Sequence, residues 1–269
     1  MSELTQAEIE STARAFVEAR RRATKLDRYP GAVPDTLYEA YCIQDFAISL
    51  WPDSIAGWKV GQIRPEHRDK YGSDRMLGPM FRKHIRQAHE EPEMPLFVGA
   101  FAVIEAEYIA VVGEDVPVGK VEWSLEEAMS VVSDLRIGIE TAGSPLPALN
   151  EFGAAAVVSD FGAHGGLVVG PSIIDWQARD LAALECKAFV NDELVGTGGA
   201  RNLNNGIARS IQATLESTAK RGHALKAGHL ISTGATTGVH AAKPGDRVRV
   251  SFGEDGEVRC RIVAASPQR

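Results

Sequence analysis

At 269 residues, with 44% hydrophobic and 24% charged side chains, the chain has the make-up of a soluble globular protein of one large or two small domains. A formal net charge of −7, with no long run of Lys or Arg, argues against a nucleic-acid partner. No apolar run approaches the ~20 residues that span a bilayer, residues 1–5 lack the basic start of a secretory signal, and three scattered cysteines without C-x-x-C read as reduced thiols of a cytoplasmic protein.

The chain opens with a helix over residues 5–25. Ala7, Ile9, Ala13, Phe16, Val17 and Ala23 form its apolar stripe, and acidic residues early with basic ones late suit the helix dipole. Arg20-Arg21-Arg22 reads as its solvated end rather than as an anion site. Tyr29-Pro30-Gly31-Ala32-Val33-Pro34 breaks the chain, and a second helix runs over 36–50 until Trp51-Pro52-Asp53 stops it. A short strand at 55–61 is bracketed by glycines and carries one charge, Lys59. An isolated strand lysine usually snorkels to the surface; otherwise it pairs with acid or does proton chemistry. Residues 64–75 look like a polar loop, 78–81 like a strand, and 90–95 like a linker.

Residues 97–112 predict the central strand. Sixteen residues hold only two charges, Glu105 and Glu107, among β-branched and aromatic neighbours. Residues two apart in a strand share a face, so these carboxylates sit side by side, with Ile104, Ala106 and Tyr108 opposite. A surface strand could carry such a pair harmlessly. Buried, the two repel and need a proton, an arginine or a cation. The apolar flanks favour burial, and carboxylates without nearby Cys or His suit a hard ion such as Mg²⁺ or Mn²⁺.

Ser124-Leu125-Glu126-Glu127 is a capping box opening a helix to about residue 132. Residues 135–140 read as a strand ending in Glu140, and 141–145 as a loop. Residues 154–169 are small, glycine-rich and apolar except for Asp160 and His164. Residues 184–190 form a strand before an Asn191-Asp192-Glu193 turn; 204–221 form a helix stopped by Gly222. Three further strand-like stretches follow, at 229–234, 247–252 and 258–263, the last two predicting a hairpin. With no βαβ rhythm and no G-x-G-x-x-G after a strand, the pattern argues against a nucleotide cofactor. The fold class is α+β: a helical segment over 1–52 packed on a mixed β core over 53–269, forming one continuous unit.

The order of five motifs resembles the fumarylacetoacetate hydrolase superfamily: Gly57-Trp58-Lys59-Val60-Gly61, Glu105-Ala106-Glu107, Gly138-Ile139-Glu140, the segment from Leu225 to Gly234, and Lys243-Pro244-Gly245-Asp246. With Glu39-Ala40-Tyr41-Cys42-Ile43-Gln44 in front, it is similar to the 2-oxopent-4-enoate hydratase and 4-oxalocrotonate decarboxylase branch, over residues 15–263. The resemblance implies an irregular mixed β-sheet or β-roll core, an Mg²⁺ or Mn²⁺ site at Glu105, Glu107 and Glu140, and a small 2-oxo or 2-enol acid as substrate. It also implies a homo-oligomer, possible association with a related enzyme of the same route in aromatic-compound breakdown, and Lys59 at the reacting oxygens. Thr233 and Gly234, in the late motif, then fall at the substrate.

The chain departs from the branch at Glu140-Thr141-Ala142-Gly143-Ser144-Pro145, where Glu-x-x-Asp-Ser-Arg is usual, and at Asp160-Phe161-Gly162-Ala163-His164-Gly165, where Asp-Asn-Ala-Ser-Ser-Gly is usual. An acid expected before Gly78 falls on Met76, leaving Asp74 or Arg75 to stand in at the substrate, with Ser144 beside them. His164, with Asp160, becomes the candidate for proton transfer. The first expectation is a hydratase adding water to a 2-hydroxy-2,4-dienoate or 2-oxo-4-enoate to give a 4-hydroxy-2-oxo acid. The alternatives are decarboxylation of a 2-oxo dioate, C–C hydrolysis of an acylpyruvate, or a non-catalytic binding or assembly subunit. The remaining histidines, His84, His89, His223, His229 and His240, lack metal-ligand spacing and read as surface or structural.

Overall fold

The computed structural model describes residues 4–89 and 91–268, so Met1-Ser2-Glu3, part of the start expected to lack a secretory signal, and the Glu90 end of the expected linker lie outside the described residues. Helix α1 (Gln6–Arg22) begins at a capping box, the Thr5 side chain accepting from the Glu8 N–H and Glu8 reaching back to the Thr5 N–H. Helix α2 (Leu37–Leu50) begins in the same way at Thr36 and Glu39. The other Glu39 oxygen accepts from the Leu4 N–H at 3.0 Å, tying the entry of α1 to the entry of α2. Ile9, Ala13 and Val17 of α1 pack on Ile43, Ala47 and Trp51, and the cluster continues into Phe81 and Phe161. The helical pair thus rests directly on the β core. Gln44, fully buried, fastens it there by donating to the Leu77 and Val158 carbonyls at 2.9 and 2.8 Å.

The strands in chain order are β1 (Ile55–Gln62), β2 (Arg75–Phe81), β3 (Ile85–Gln87), β4 (Glu93–Leu96), β5 (Phe101–Val112), β6 (Val132–Ser144), β7 (His164–Ser172), β8 (Glu185–Val190), β9 (Glu193–Gly199), β10 (Leu230–Ser232), β11 (His240–Ala241), β12 (Arg247–Ser251) and β13 (Glu257–Ala264). Between them lie α3 (Pro65–Tyr71), α4 (Leu125–Ser130), α5 (Ala154–Ser159) and α6 (Gly206–Lys220). One sheet runs β2-β1-β10-β5-β6-β7-β3, with β11 also pairing β5; the other runs β4-β13-β12-β8-β9. Parallel pairs, β1 with β10, β3 with β7 and β4 with β13, stand among antiparallel ones. The mixed α+β class is the observed one.

The second sheet covers one face of β5 and β6. Tyr108 packs edge-on against Phe252 of the β12–β13 connection at 5.5 Å, and Ile104, Ala106, Ile137 and Ile139 share a buried cluster with Val250 and Val258. Apolar residues alternating on β5 are drawn to that face, which leaves Glu105 and Glu107 on the opposite one.

Several expectations needed correction. The polar stretch 64–75 contains α3, opened by Pro65 at the first helical position. The linker includes β4, which gains a parallel partner in β13. Strand β5 starts at Phe101, four residues later than expected. The stretch 141–145 is no loop; β6 continues through Ser144 because Thr141 and Ala142 pair with both β5 and β7. The hairpin turn at Asn191-Asp192 is as expected, both residues having positive φ (52° and 65°), as a tight antiparallel hairpin requires.

Candidate metal centre

Glu105 and Glu140 are direct cross-strand partners in the β5–β6 ladder, and Glu107 stands two residues along β5 on the same face. Pleat and register alone therefore gather three acids from sites up to 35 positions apart in the chain. Each offers an oxygen within 4.8 Å of the other two. Glu107 and Glu140 are wholly buried and Glu105 is 7% exposed. Burial, reinforced by Glu140 and Glu105, pushes the Glu107 carboxyl well above the usual range. Burial raises Glu105 and Glu140 as well, against the opposing pull of Lys59.

Lys59 comes in from β1, its ammonium 3.3 Å from Glu140 Oε1 and 4.0 Å from Glu105 Oε2. Burial alone would lower its pKa; Glu140, Glu105 and Glu107 outweigh this and hold it protonated. One ammonium against three carboxylates leaves the group short of positive charge. The hydrogen bonding shows where that deficit lies. Glu107 Oε2 accepts from Ser232 Oγ and from the Gly234 N–H (2.9 Å), while Oε1 has no partner among the described residues. Glu140 Oε1 faces Lys59, while its Oε2 likewise has none. Two orphaned, buried carboxylate oxygens are costly unless something meets them. An all-oxygen donor set suits a hard divalent ion, so the residues fit Mg²⁺ or Mn²⁺.

Close backbone approach makes room for this arrangement. A Cβ on Gly78 would lie 2.1 Å from the Phe161 carbonyl oxygen, so only glycine lets the 161–163 turn close over the Lys59 stem. Gly234 has φ +117°, a conformation that aims its N–H at Glu107.

The remaining predicted site residues fall in different places. Thr233 does not face the acids; its Oγ and N–H donate to the Tyr108 carbonyl at 2.8 and 3.1 Å and lock β10 to β5. Ser144 accepts from the Leu146 N–H at 3.0 Å and shapes the turn after β6. Arg75 and Asp74 form a structural knot. Arg75, 1% exposed, donates to Ser210 Oγ and the Asn204 carbonyl, and Asp74 pairs with Arg209 at 2.8 Å, all on the side of α6. Met76 lines the cavity in their stead.

Asp160 pairs with Arg20 and is not among the residues lining the cavity. Arg21 and Arg22 are the solvated helix end expected, but Arg20 is 6% exposed and departs from it; it also donates to the carbonyls of His164 (2.9 Å), Gly143 (2.8 Å) and Asp160 (3.1 Å). His164 lies behind Glu140, Nδ1 at 3.5 Å from Oε1, and stacks on His84 at 6.1 Å. Burial, with Lys59 and Arg20, holds its pKa well below the usual imidazole range, so the contact is not an ion pair. His164 does not line the cavity that opens from the acids. Sequence reasoning missed Ser232 and Arg20; Ser232 lay inside the late motif without a role, and Arg20 looked like any basic helix end.

A cavity of about 670 Å³ leads from Lys59 and Glu105 to the surface. Its walls include Met76, Phe101, Ala142 and Val157, and Arg64, His67 and Glu151 stand at its outer part. Buried carboxylates with orphaned oxygens, a fixed ammonium and a channel of mixed lining, with Met76, Phe101 and Val157 beside Gln62 and Asn150, can hold a polar head deep and a carbon chain outward.

The family model "Fumarylacetoacetate (FAA) hydrolase C-terminal" matches residues 77–263. No curated protein sequence matches. The fold is similar to that of 4-oxalocrotonate decarboxylase from Pseudomonas putida G7, solved with calcium and acetate (TM-score 0.79, 19% identity, covering 97% of this chain and 99% of that one). The same enzyme with magnesium and adipate gives a TM-score of 0.78 at 19% identity and the same coverage. Fumarylpyruvate hydrolase from Pseudomonas aeruginosa, with Mn²⁺ and pyruvate, gives 0.55 at 19% identity over 77% of this chain and 89% of that one.

Proposed function

The chain belongs to the fumarylacetoacetate hydrolase family, and from that premise we propose that it is a divalent-metal-dependent lyase adding water to a 2-hydroxy-2,4-dienoate or its 2-oxo-4-enoate tautomer to give a 4-hydroxy-2-oxo acid. The observation that carries this reading is the buried Glu105–Glu107–Glu140 cluster, with two unpartnered oxygens, beside a protonated Lys59 at the inner end of a cavity. A divalent ion held by the three glutamates supplies Lewis acidity toward the carboxylate and 2-oxo group of such an acid.

Lys59 places a fixed positive charge where negative charge develops on the substrate's C2 oxygen, and its burial strengthens that interaction. Its ammonium holds a proton beside the reacting atoms, an acid rather than a base. The dienol gains a proton at C5 and loses its 2-OH proton to give the conjugated 2-oxo-3-enoate; water reaching C4 through the cavity then adds its oxygen there and leaves a proton at C3, so no group leaves. Met76, Phe101 and Val157 hold the apolar chain and limit water along the walls.

Decarboxylation of a 2-oxo dioate is a second reading with its own support. The deep charged groups on the cavity wall are an ammonium and a carboxylate of the metal cluster, and His164, the expected base, is elsewhere. Loss of CO₂ needs a place for electrons and a proton donor, which this set supplies, and no base to activate water. Hydrolysis of an acylpyruvate would use the same anchored head and, like hydration, needs water activated. Incubation of metal-loaded protein with 2-hydroxydienoic acids, followed by ultraviolet loss of the dienol band and product mass, tests the readings. Gain of water supports the first, loss of CO₂ replaces it with the second, and unchanged substrate across mono- and dicarboxylic dienoates overturns both.

A further inference from the structure

We propose that a second cavity, separate from the metal centre, binds a small hydroxylated aromatic acid. Its volume is about 430 Å³, within the range of small-molecule pockets. It shares no lining residue with the cavity at Lys59. The partition between the two is the turn that Arg20 clasps: Gly162 and Ala163 line the first cavity, Gly165 and Arg20 the second. Residues 265–268 form another wall and are pinned at both ends. The Ala265 N–H donates to the Leu96 carbonyl at 2.8 Å and the Gln268 N–H to the Arg21 carbonyl at 2.7 Å.

Three features of the lining select the ligand. Trp51, Phe97 and His84 put three rings on the wall, which suits a flat apolar body. His84 Nδ1 is buried and has no partner among the described residues. Burial, helped by His164 and Arg20, takes the His84 pKa down to about 3 and keeps the ring neutral. A neutral ring nitrogen donates in one tautomer and accepts in the other, and a hydroxyl satisfies either. Behind it His164 Nε2 is orphaned in the same way, the two rings stacking at 6.1 Å. The remaining charge is positive. Arg21 and Lys83 are exposed and make no side-chain ion pair within 4.0 Å among the described residues. Asp53, the one acid in the lining, accepts from the Ser54 and Lys83 N–H groups, each at 2.8 Å, and Arg20 is committed to Asp160 and three carbonyls. Two uncommitted cations suit a carboxylate. Lys83 and His84 adjoin in the chain, with Cα atoms ~3.8 Å apart, so the two ends of one substituted benzene ring can meet both.

Calorimetry with 4-hydroxybenzoate, benzoate and phenol, on metal-free and on Mg²⁺-loaded protein, tests this. 4-Hydroxybenzoate is expected to bind with Kd below about 1 mM, at least about fivefold more tightly than either probe lacking one group, and equally in both forms of the protein. His84→Phe keeps a ring and should bring 4-hydroxybenzoate level with benzoate. Arg21→Ser combined with Lys83→Ser should bring it level with phenol, and this exposed pair decides the matter if His84→Phe does not fold. No binding up to about 10 mM, equal affinity for the three probes, or ratios that survive both variants overturn the proposal. Displacement of 4-hydroxybenzoate by 2-oxohexanoate on Mg²⁺-loaded protein puts the probe at the metal centre and overturns it as well. None of these outcomes bears on the lyase reading, which belongs to the other cavity.

Discussion

Glu107 makes both of its hydrogen bonds through one oxygen and leaves the other for a ligand, so its substitution separates binding from folding. Glu107→Gln keeps the shape and removes a charge from a buried, self-repelling cluster. Mg²⁺ and Mn²⁺ affinity is expected to drop by orders of magnitude, while the metal-free melting temperature stays level or rises. Unchanged metal binding by calorimetry would remove the cluster from consideration as a metal site. Lys59 is the converse case. Lys59→Met takes away a cation beside the glutamates, so metal binding should hold or tighten while kcat falls about 10²–10³-fold, the range for losing one donor to developing charge. A variant with native turnover would leave Lys59 as a charge balancer only. Neither role needs His164, whose neutral ring supports Glu140 from behind.

At the scale of elements, α1 reaches the site through a single side chain. Residues 161–163 all have positive φ (53°, 63° and 59°), and two of them are not glycine, a conformation costing roughly 1–2 kcal/mol at each such residue. Arg20 clasps the turn at both ends, through Asp160 before it and the His164 carbonyl after it. Arg20→Met strands the Asp160 carboxylate in a site with no exposure and leaves three carbonyls without their donor. A loss of about 3–5 kcal/mol in urea unfolding is expected, and Arg20→Lys should lose less, since it keeps the charge without the fork. Stability within about 1 kcal/mol of the parent in Arg20→Met would show that the turn holds itself.

This clasp also marks where sequence reading stops. The alternation around Glu105 and Glu107, the capping box at Ser124, and the β12–β13 hairpin are local patterns with a period or spacing to detect. The Arg20–Asp160 pair joins residues 140 apart, and neither has a local feature naming the other. The continuation of β6 past Glu140 is similar: Thr141 to Ser144 look loop-like alone and become strand because partners stand on both sides. Glu140 could be read as a strand-end acid; its pairing with Glu105 required the register.

For the whole molecule, the metal-free protein carries an electrostatic load that an ion relieves. Burial holds all three glutamates above their ordinary value of 4.5. The folded chain therefore keeps protons that the unfolded chain releases, and without metal stability declines as pH rises from 4.5 through the raised values. His84 and His164 work in the opposite direction. Burial depresses both, His84 to about 3, so their contribution is present above 6.5 and is lost as pH falls through that window. The histidine effect is common to protein with and without metal, so subtracting the two melting curves isolates the carboxylates. Saturation at a hundred times Kd stabilises by about 2.7 kcal/mol, or roughly 5–10 °C for a chain of this size. At one fixed metal concentration the increment is expected to grow between about pH 5 and pH 8, because the ion binds the ionised acids and Kd falls as they lose their protons. A metal-induced shift that is absent, or that shrinks as pH rises, would mean the glutamates share their charge without an ion and would leave Lys59 as the whole of their compensation.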